Sequence, residues 1–189
     1  MKRQRIKYLS DDERKLLLNT LKVRKDAERA FMMYNLMLNT GLRLAETVAI
    51  NVGDVIDRKI LKIIGKGAKP REIPLNQAIR AHIKAFVRWK ARKGESIELD
   101  APLFVSKKKN RISKRAVQRD FVKWIKEAGI EGYYTPHALR HTVGTQLLKK
   151  TSNIRLVQEF LGHSDISTTQ IYTHIGKEEI AQASELLAV

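Results

Sequence analysis

Three short stretches of this 189-residue chain carry side chains suited to chemistry on a phosphate. TPHALRHT sets His137 and Arg140 at i, i+3, on one face in the first turn of an expected helix. A helix N-terminus favours anions through its free N–H groups and dipole, and an arginine there can grip two phosphate oxygens at once. EFLGHSDISTTQIYTH follows, with Gly162 ending a helix, His163 at the break and Tyr172 nine residues later. Upstream, NTGLRLAE puts Arg43 just after a glycine turn and Glu46 one helical turn on, where it can orient the guanidinium. Metal-free phosphodiester cleavage needs cations around the phosphate, a nucleophile and a proton donor for the leaving oxygen. Those residue types are all present.

Taken singly, each has an ordinary structural explanation. A lone histidine or tyrosine is commonly a satisfied packing residue, and an i, i+3 Arg–Glu pair contributes about 0.2–0.5 kcal/mol. His137 and His141 have the i, i+4 spacing of a helical zinc site, but the glutamate of such a motif and a third ligand are both missing. The carboxylates are dispersed, and Asp11–Asp12–Glu13 is explained by a helix first turn. No metal and no cofactor are expected.

Composition narrows the partner. There are 37 Lys+Arg against 20 Asp+Glu, a net charge of +17, which points to a polyanion and most often to nucleic acid. The charge is uneven. Met1–Gln158 holds 36 basic and 15 acidic residues, a net of +21, whereas Glu159–Val189 holds Lys177 against five acids, a net of −4. The absence of cysteine excludes disulfides, thiolate metal sites and a cysteine nucleophile. No apolar run approaches the roughly 18 residues of a membrane span, and the start lacks a signal peptide's apolar stretch. A soluble, cytoplasmic domain acting at the nucleoid, with no membrane partner, is expected.

The elements that must position these residues are mostly helices. Ser10 is expected to cap a helix through Leu21, and Asp26 to open an apolar one stopping near Asn39–Gly41. A short helix covers Leu42–Ile50. DVIDRKILKIIGKGAKPREIPL alternates like three short strands, the last two joined by the Gly65–Pro70 turn. Helices resume at Gln77–Arg92, and Leu103–Val105 reads as a small strand. Ser113 caps a helix to about Ala128, Thr135-Pro136 opens one to about Lys150, and Asn153 caps a short one ended by Gly162. Helical pieces at Ser167–Ile171 and Lys177–Leu187 close the chain. The fold class is a mainly helical α+β domain with one small three-stranded antiparallel sheet.

TGLRLAE, IIGKGAKPREIPL, TPHALRHT and LGHSDISTTQIYTH, in that order, resemble the tyrosine recombinase (phage integrase) family, especially its Xer-like branch. The resemblance covers about Leu9 to Glu185 and implies the family's DNA breaking–rejoining catalytic fold. It also implies that Arg43, Lys66, His137, Arg140, His163 and Tyr172 occupy catalytic positions. Arg43 and Arg140 would clamp the non-bridging oxygens, and Tyr172 would attack phosphorus, with His137 as base. His163 would donate a hydrogen bond to the phosphate, and Lys66 would protonate the departing 5′-oxygen, with Lys69 as its rival. The implied activity is site-specific recombination of double-stranded DNA through a 3′-phosphotyrosyl intermediate, without metal or ATP. A type IB topoisomerase-like relaxing enzyme and a catalytically idle DNA-binding module are the alternatives.

DNA contacts are expected from Lys69, Arg71 and the acid-free run KKKNRISKRAVQR, with Lys107, Lys108, Lys109, Arg111, Lys114, Arg115 and Arg119. Residues 1–8 form a basic arm or linker, and 9–189 the catalytic domain. No separate N-terminal core-binding domain is expected within the chain, as in a catalytic piece of a longer member or a short catalytic-only one. The acidic end carries an apolar stripe, Ile175, Ile180, Leu186 and Leu187. By the resemblance, this helix (about 177–187) would exchange between protomers of a tetramer on DNA, the protein being a monomer in solution; a helix folded onto its own domain is the alternative.

Overall fold

Ser10 and Glu13 start the first helix by serving each other's backbone. The Ser10 hydroxyl accepts from the Glu13 N–H (3.2 Å), and the Glu13 carboxylate accepts from the Ser10 N–H (2.7 Å). The computed structural model describes residues 8–64, 70–162 and 177–187. Helices α1 (Asp11–Val23), α2 (Glu28–Thr40) and α3 (Leu44–Ala49) lead into a 3-10 turn, Val52–Asp54. Strands β1 (Ile60–Ile64) and β2 (Pro70–Pro74) pair antiparallel, with Ile60 opposite Pro74 and Ile64 opposite Pro70. Then come α4 (Gln77–Arg92), α5 (Lys114–Glu127), α6 (His137–Thr151), α7 (Ile154–Leu161) and α8 (Lys177–Glu185).

Helix α2 is the centre. Every residue from Met32 to Thr40 is buried, and α1, α4 and α6 pack around it. Buried Leu17, Leu21, Leu36, Ile83, Phe121, Trp124, Val143 and Leu147 belong to one continuous core. The expected side-chain caps at Ser113 and Asn153 are made to Ala116 and Leu156 at 3.2 and 3.1 Å.

Several expectations need correction. Asp26 does not cap α2, which follows Ala27 without a side-chain cap; the Asp26 carboxylate lies 3.4 Å from Arg24 Nε. Two strands, not three, are found among the described residues. The stretch read as a first strand, around Val55–Ile56, is instead a turn that continues the 3-10 turn, with the Val55 and Ile56 N–H groups both bonding to Val52 O, at 3.2 and 3.0 Å. The preceding Val52 and Gly53 N–H groups bond to the Ala101 and Leu99 carbonyls, which anchors that turn away from the hairpin. Leu103–Val105 is not a strand; it is flanked by the bridges Asn51–Pro102 and Val105–Arg111. Helix α6 begins at His137, one residue later than a Thr135 cap implies, with Pro136 already helical.

Helix α8 lies on its own domain, against β2 and α7. Ala183, Ser184 and Leu187 are buried, Ile180 is half-buried and Leu186 is exposed, so the expected stripe is split; Ile175 lies outside the described residues. Backbone carbonyls hold it in place. Asn76 donates to Ser184 O (2.9 Å), and Arg14 donates to Leu187 O (2.6 Å). Ser167–Ile171 falls outside the described residues. Among the described residues no helix is long and apolar enough to cross a membrane.

Candidate functional site

The ends of two helices make the floor of the site. Helix α2 stops at Gly41, in the left-handed region at φ 63°, and a Cβ there would come within 2.5 Å of a Leu161 methyl. Glycine is what lets the end of α2 meet the end of α7. Arg140, on the first turn of α6, bridges them, donating from Nη1 to Gly41 O (2.5 Å) and from Nη2 to Leu161 O (2.6 Å). Arg140 is only 3% exposed, and its guanidinium is held by the two carbonyls, which use two of its five N–H donors.

Arg43 is the residue before α3. Its backbone N–H and Nη1 both donate to the Glu46 carboxylate, at 2.8 and 3.0 Å, and its Nη2 reaches Gly162 O at 3.4 Å. The Glu46 carboxylate also receives two bonds from Arg71 on β2, at 3.1 and 2.8 Å. Burial raises the Glu46 pKa, but the Arg43 N–H and the two guanidinium groups outweigh it and hold it below the usual carboxylate range. One carboxylate therefore faces three arginines, and the local charge is positive.

That excess shows in the titration of its neighbours. Burial first, and then the charges of Arg43 and Arg71, pull Arg140 down to about 10, with Glu46 opposing; it is still charged at pH 7. His137 is exposed, its ring set edge-on to that of His141 with centroids 4.6 Å apart. Partial burial and the charges of Arg140 and Arg43 push its pKa below the ordinary 6.5, so at pH 7 it is neutral and can accept a proton. Among the described residues no group of three or more His, Cys, Asp or Glu is placed to hold a metal. Two arginines that reach the neighbouring Leu161 and Gly162 carbonyls, with a neutral base beside them, suit a phosphate.

Arg43, His137, Arg140 and Glu46 thus come together from α3 and α6. Lys66, Lys69, His163 and Tyr172 lie outside the described residues. The chain reaches the first pair through β1 and β2, and the second through Gly162, whose φ of 65° ends α7 beside Arg43. Lys107, Lys108, Lys114, Arg115 and Arg119 are exposed, and their side chains have no hydrogen-bond or ion-pair partner among the described residues. Three of the expected DNA contacts are engaged by their own chain. Arg111 donates to Val48 O, Ile50 O and Asn51 Oδ1; Lys109 donates to Gly94 O; Arg71 holds Glu46. The inward position of Arg71 was signalled by strand alternation, since it shares a face with buried Ile73.

The sequence matches the profile of the phage integrase family over residues 7–179. The chain belongs to the phage integrase family. Tyrosine recombinase XerC of Vibrio campbellii is 40% identical over 184 residues, covering 96% of this chain and 58% of the relative. Tyrosine recombinase XerC of Caldanaerobacter subterraneus subsp. tengcongensis is 41% identical over 178 residues, covering 93% and 49%. Among solved structures, that of XerA recombinase superposes with a TM-score of 0.71 at 30% identity, over 93% of this chain and 62% of that one. XerH site-specific recombinase, bound to palindromic difH substrate in a post-cleavage complex, gives 0.72 at 26% identity, over 96% and 53%. The chain spans about half the length of the curated relatives it matches.

Proposed function

We propose that this chain carries the catalytic part of a site-specific DNA recombinase, which cleaves and rejoins strands through a covalent 3′-phosphotyrosyl intermediate. The observation that carries this reading is the joining of Arg43, Arg140 and neutral His137 around one cationic centre in a phage integrase family chain. A phosphate placed there would receive N–H donors from both arginines, which gain most when charge builds on the pentavalent phosphorus. His137 takes the Tyr172 phenol proton as its oxygen bonds to phosphorus. The bond to the 5′-oxygen breaks, Lys66 protonates that oxygen, and His163 donates to a non-bridging oxygen. A second strand's 5′-hydroxyl then attacks phosphorus and releases Tyr172, so the phosphodiester is remade without an outside energy source.

Lys107, Lys108, Lys114, Arg115 and Arg119 would track the DNA backbone from the loop before α5 and its first turns. Arg111 and Lys109 would act by shaping that surface. In the same reading the protein is a monomer that assembles as a tetramer on DNA, α8 moving from its own domain to a neighbour's.

The reading is tested with a pool of nicked duplexes randomised across the binding site. Incubation is expected to yield SDS-resistant adducts enriched in one sequence, bearing protein on a 3′-phosphate and leaving a free 5′-hydroxyl. Supercoil relaxation with no enriched sequence would instead mark a topoisomerase-like enzyme, and no adduct from any duplex would exclude cleavage. A pH prediction follows from His137. The single-turnover cleavage rate is expected to hold at pH 7 and fall as pH drops through a pKa below 6.5, because protonated His137 cannot take the phenol proton. His137→Gln should be slower by about 10²-fold at pH 7 and lose this acid limb; an unchanged profile would remove His137 from the base role.

A further inference from the structure

Arg71 was expected to contact DNA, yet its side chain is only 13% exposed. It projects to the same side of β2 as Ile73, and its two terminal nitrogens meet the two Glu46 oxygens as a fork on a fork, at 3.1 and 2.8 Å. That carboxylate is the one holding both the Arg43 N–H and the Arg43 guanidinium. The Arg71 stem also runs beneath Gly162. A Cβ added there would lie 2.7 Å from Arg71 Cδ and 3.0 Å from its Nη1. So one side chain, on β2, touches the carboxylate behind Arg43 and approaches Gly162, the residue that ends α7.

The Arg43–Glu46 pair alone is a weak constraint. It is an i, i+3 contact, and the Arg43 side chain is 38% exposed, the setting in which ion pairs hold geometry poorly. The Arg71–Glu46 pair is its opposite: bidentate, joining elements 25 residues apart, and screened from water on both sides. The Arg71 Nε is buried with no partner among the described residues, so the guanidinium sits there despite an unmet donor.

We propose that Arg71 is a positioning residue for the strand-transfer reaction. It fixes the Glu46 carboxylate, which in turn aims Arg43 at the scissile phosphate, and it sets β2 against the end of α7 without touching DNA. This rests on the recombinase reading above.

The test uses the full chain and the nicked duplex enriched from the randomised pool. Arg71→Gln is expected to slow single-turnover adduct formation by about 30–100-fold, while DNA affinity stays within about threefold of wild type. The double variant Arg43→Ala/Arg71→Gln should be no more than about threefold slower than Arg43→Ala alone, because both substitutions disable the same guanidinium. Arg71→Lys keeps the charge but not the fork and should recover part of the rate; if Arg71→Gln does not fold, Arg71→Lys carries the same cycle. Wild-type rates in the single variant, a loss of DNA affinity matching the loss of rate, or multiplying defects in the double variant would each overturn the assignment. Absence of any adduct from the wild type would overturn the recombinase reading itself, and the role of Arg71 with it.

Discussion

Tyr172→Phe is expected to abolish covalent capture of DNA, by at least about 10⁴-fold in single-turnover rate, with DNA affinity within about threefold of wild type. The substitution removes one oxygen and little else, so the effect isolates the nucleophile. The other four tyrosines are poorly suited to stand in. Tyr34 is fully buried and donates to Asp120 (2.9 Å), and burial with that carboxylate raises its pKa well above 10.0. Tyr134 donates to Glu13 (3.0 Å), and burial and that carboxylate push its pKa up as well. Tyr8 and Tyr133 are 43% and 70% exposed. In the proposed reaction the attacking phenol must ionise more readily than usual, which cations such as Arg43, Arg71 and Arg140 would favour. Residual adduct in the phenylalanine variant would show that another side chain attacks.

Arg140→Ala has the second largest expected effect, and it acts on two links at once. Chemically, in the proposed reaction, it would remove a charged donor from the transition state, a loss on the order of 10³–10⁵ in rate. Structurally it leaves the Gly41 and Leu161 carbonyls without their charged partner, at a cost of about 2–4 kcal/mol, partly offset because Arg43 and Arg71 no longer face a third cation. The catalytic loss wins if the protein is assayed well below its melting temperature. Thermal denaturation should show a lower midpoint for Arg140→Ala, and single-turnover assays a rate deficit far beyond the folded fraction. Arg140→Lys separates the two, since it keeps one charge but cannot bridge two carbonyls; it should regain only a small part of the rate. A lysine variant as fast as wild type would mean that the bridge between α2 and α7 is irrelevant to the chemistry.

How legible the site was depends on how local each contact is. The Arg43–Glu46 pair and the caps at Ser10, Ser113 and Asn153 are made within three residues, and those spacings are readable along the chain. The stop of α2 at Gly41 and the break at Gly162 follow from backbone that glycine alone enters freely. What escaped was set by distant partners. Arg71 reaches Glu46 across 25 residues, and Arg14 is drawn inside by Gln146 and the Leu187 carbonyl, 132 and 173 residues away. The third strand is missing for a local reason: Val55 is buried as its pattern implies, but the Val55 and Ile56 N–H groups bond to the Val52 carbonyl in a turn rather than to the hairpin. The apolar stripe of the last helix was half right: Leu187 is buried and Leu186 is not.

The central claim is that a phosphate held by Arg43 and Arg140 is attacked by one particular oxygen. Mass spectrometry of the captured adduct, trimmed by nuclease and digested to peptides, addresses it most directly. The expected result is a nucleotide joined through its 3′-phosphate to the peptide containing Tyr172, with fragment ions placing the mass on that residue. A nucleotide on Tyr8, Tyr133 or any other side chain, or a linkage through a 5′-phosphate, would contradict it.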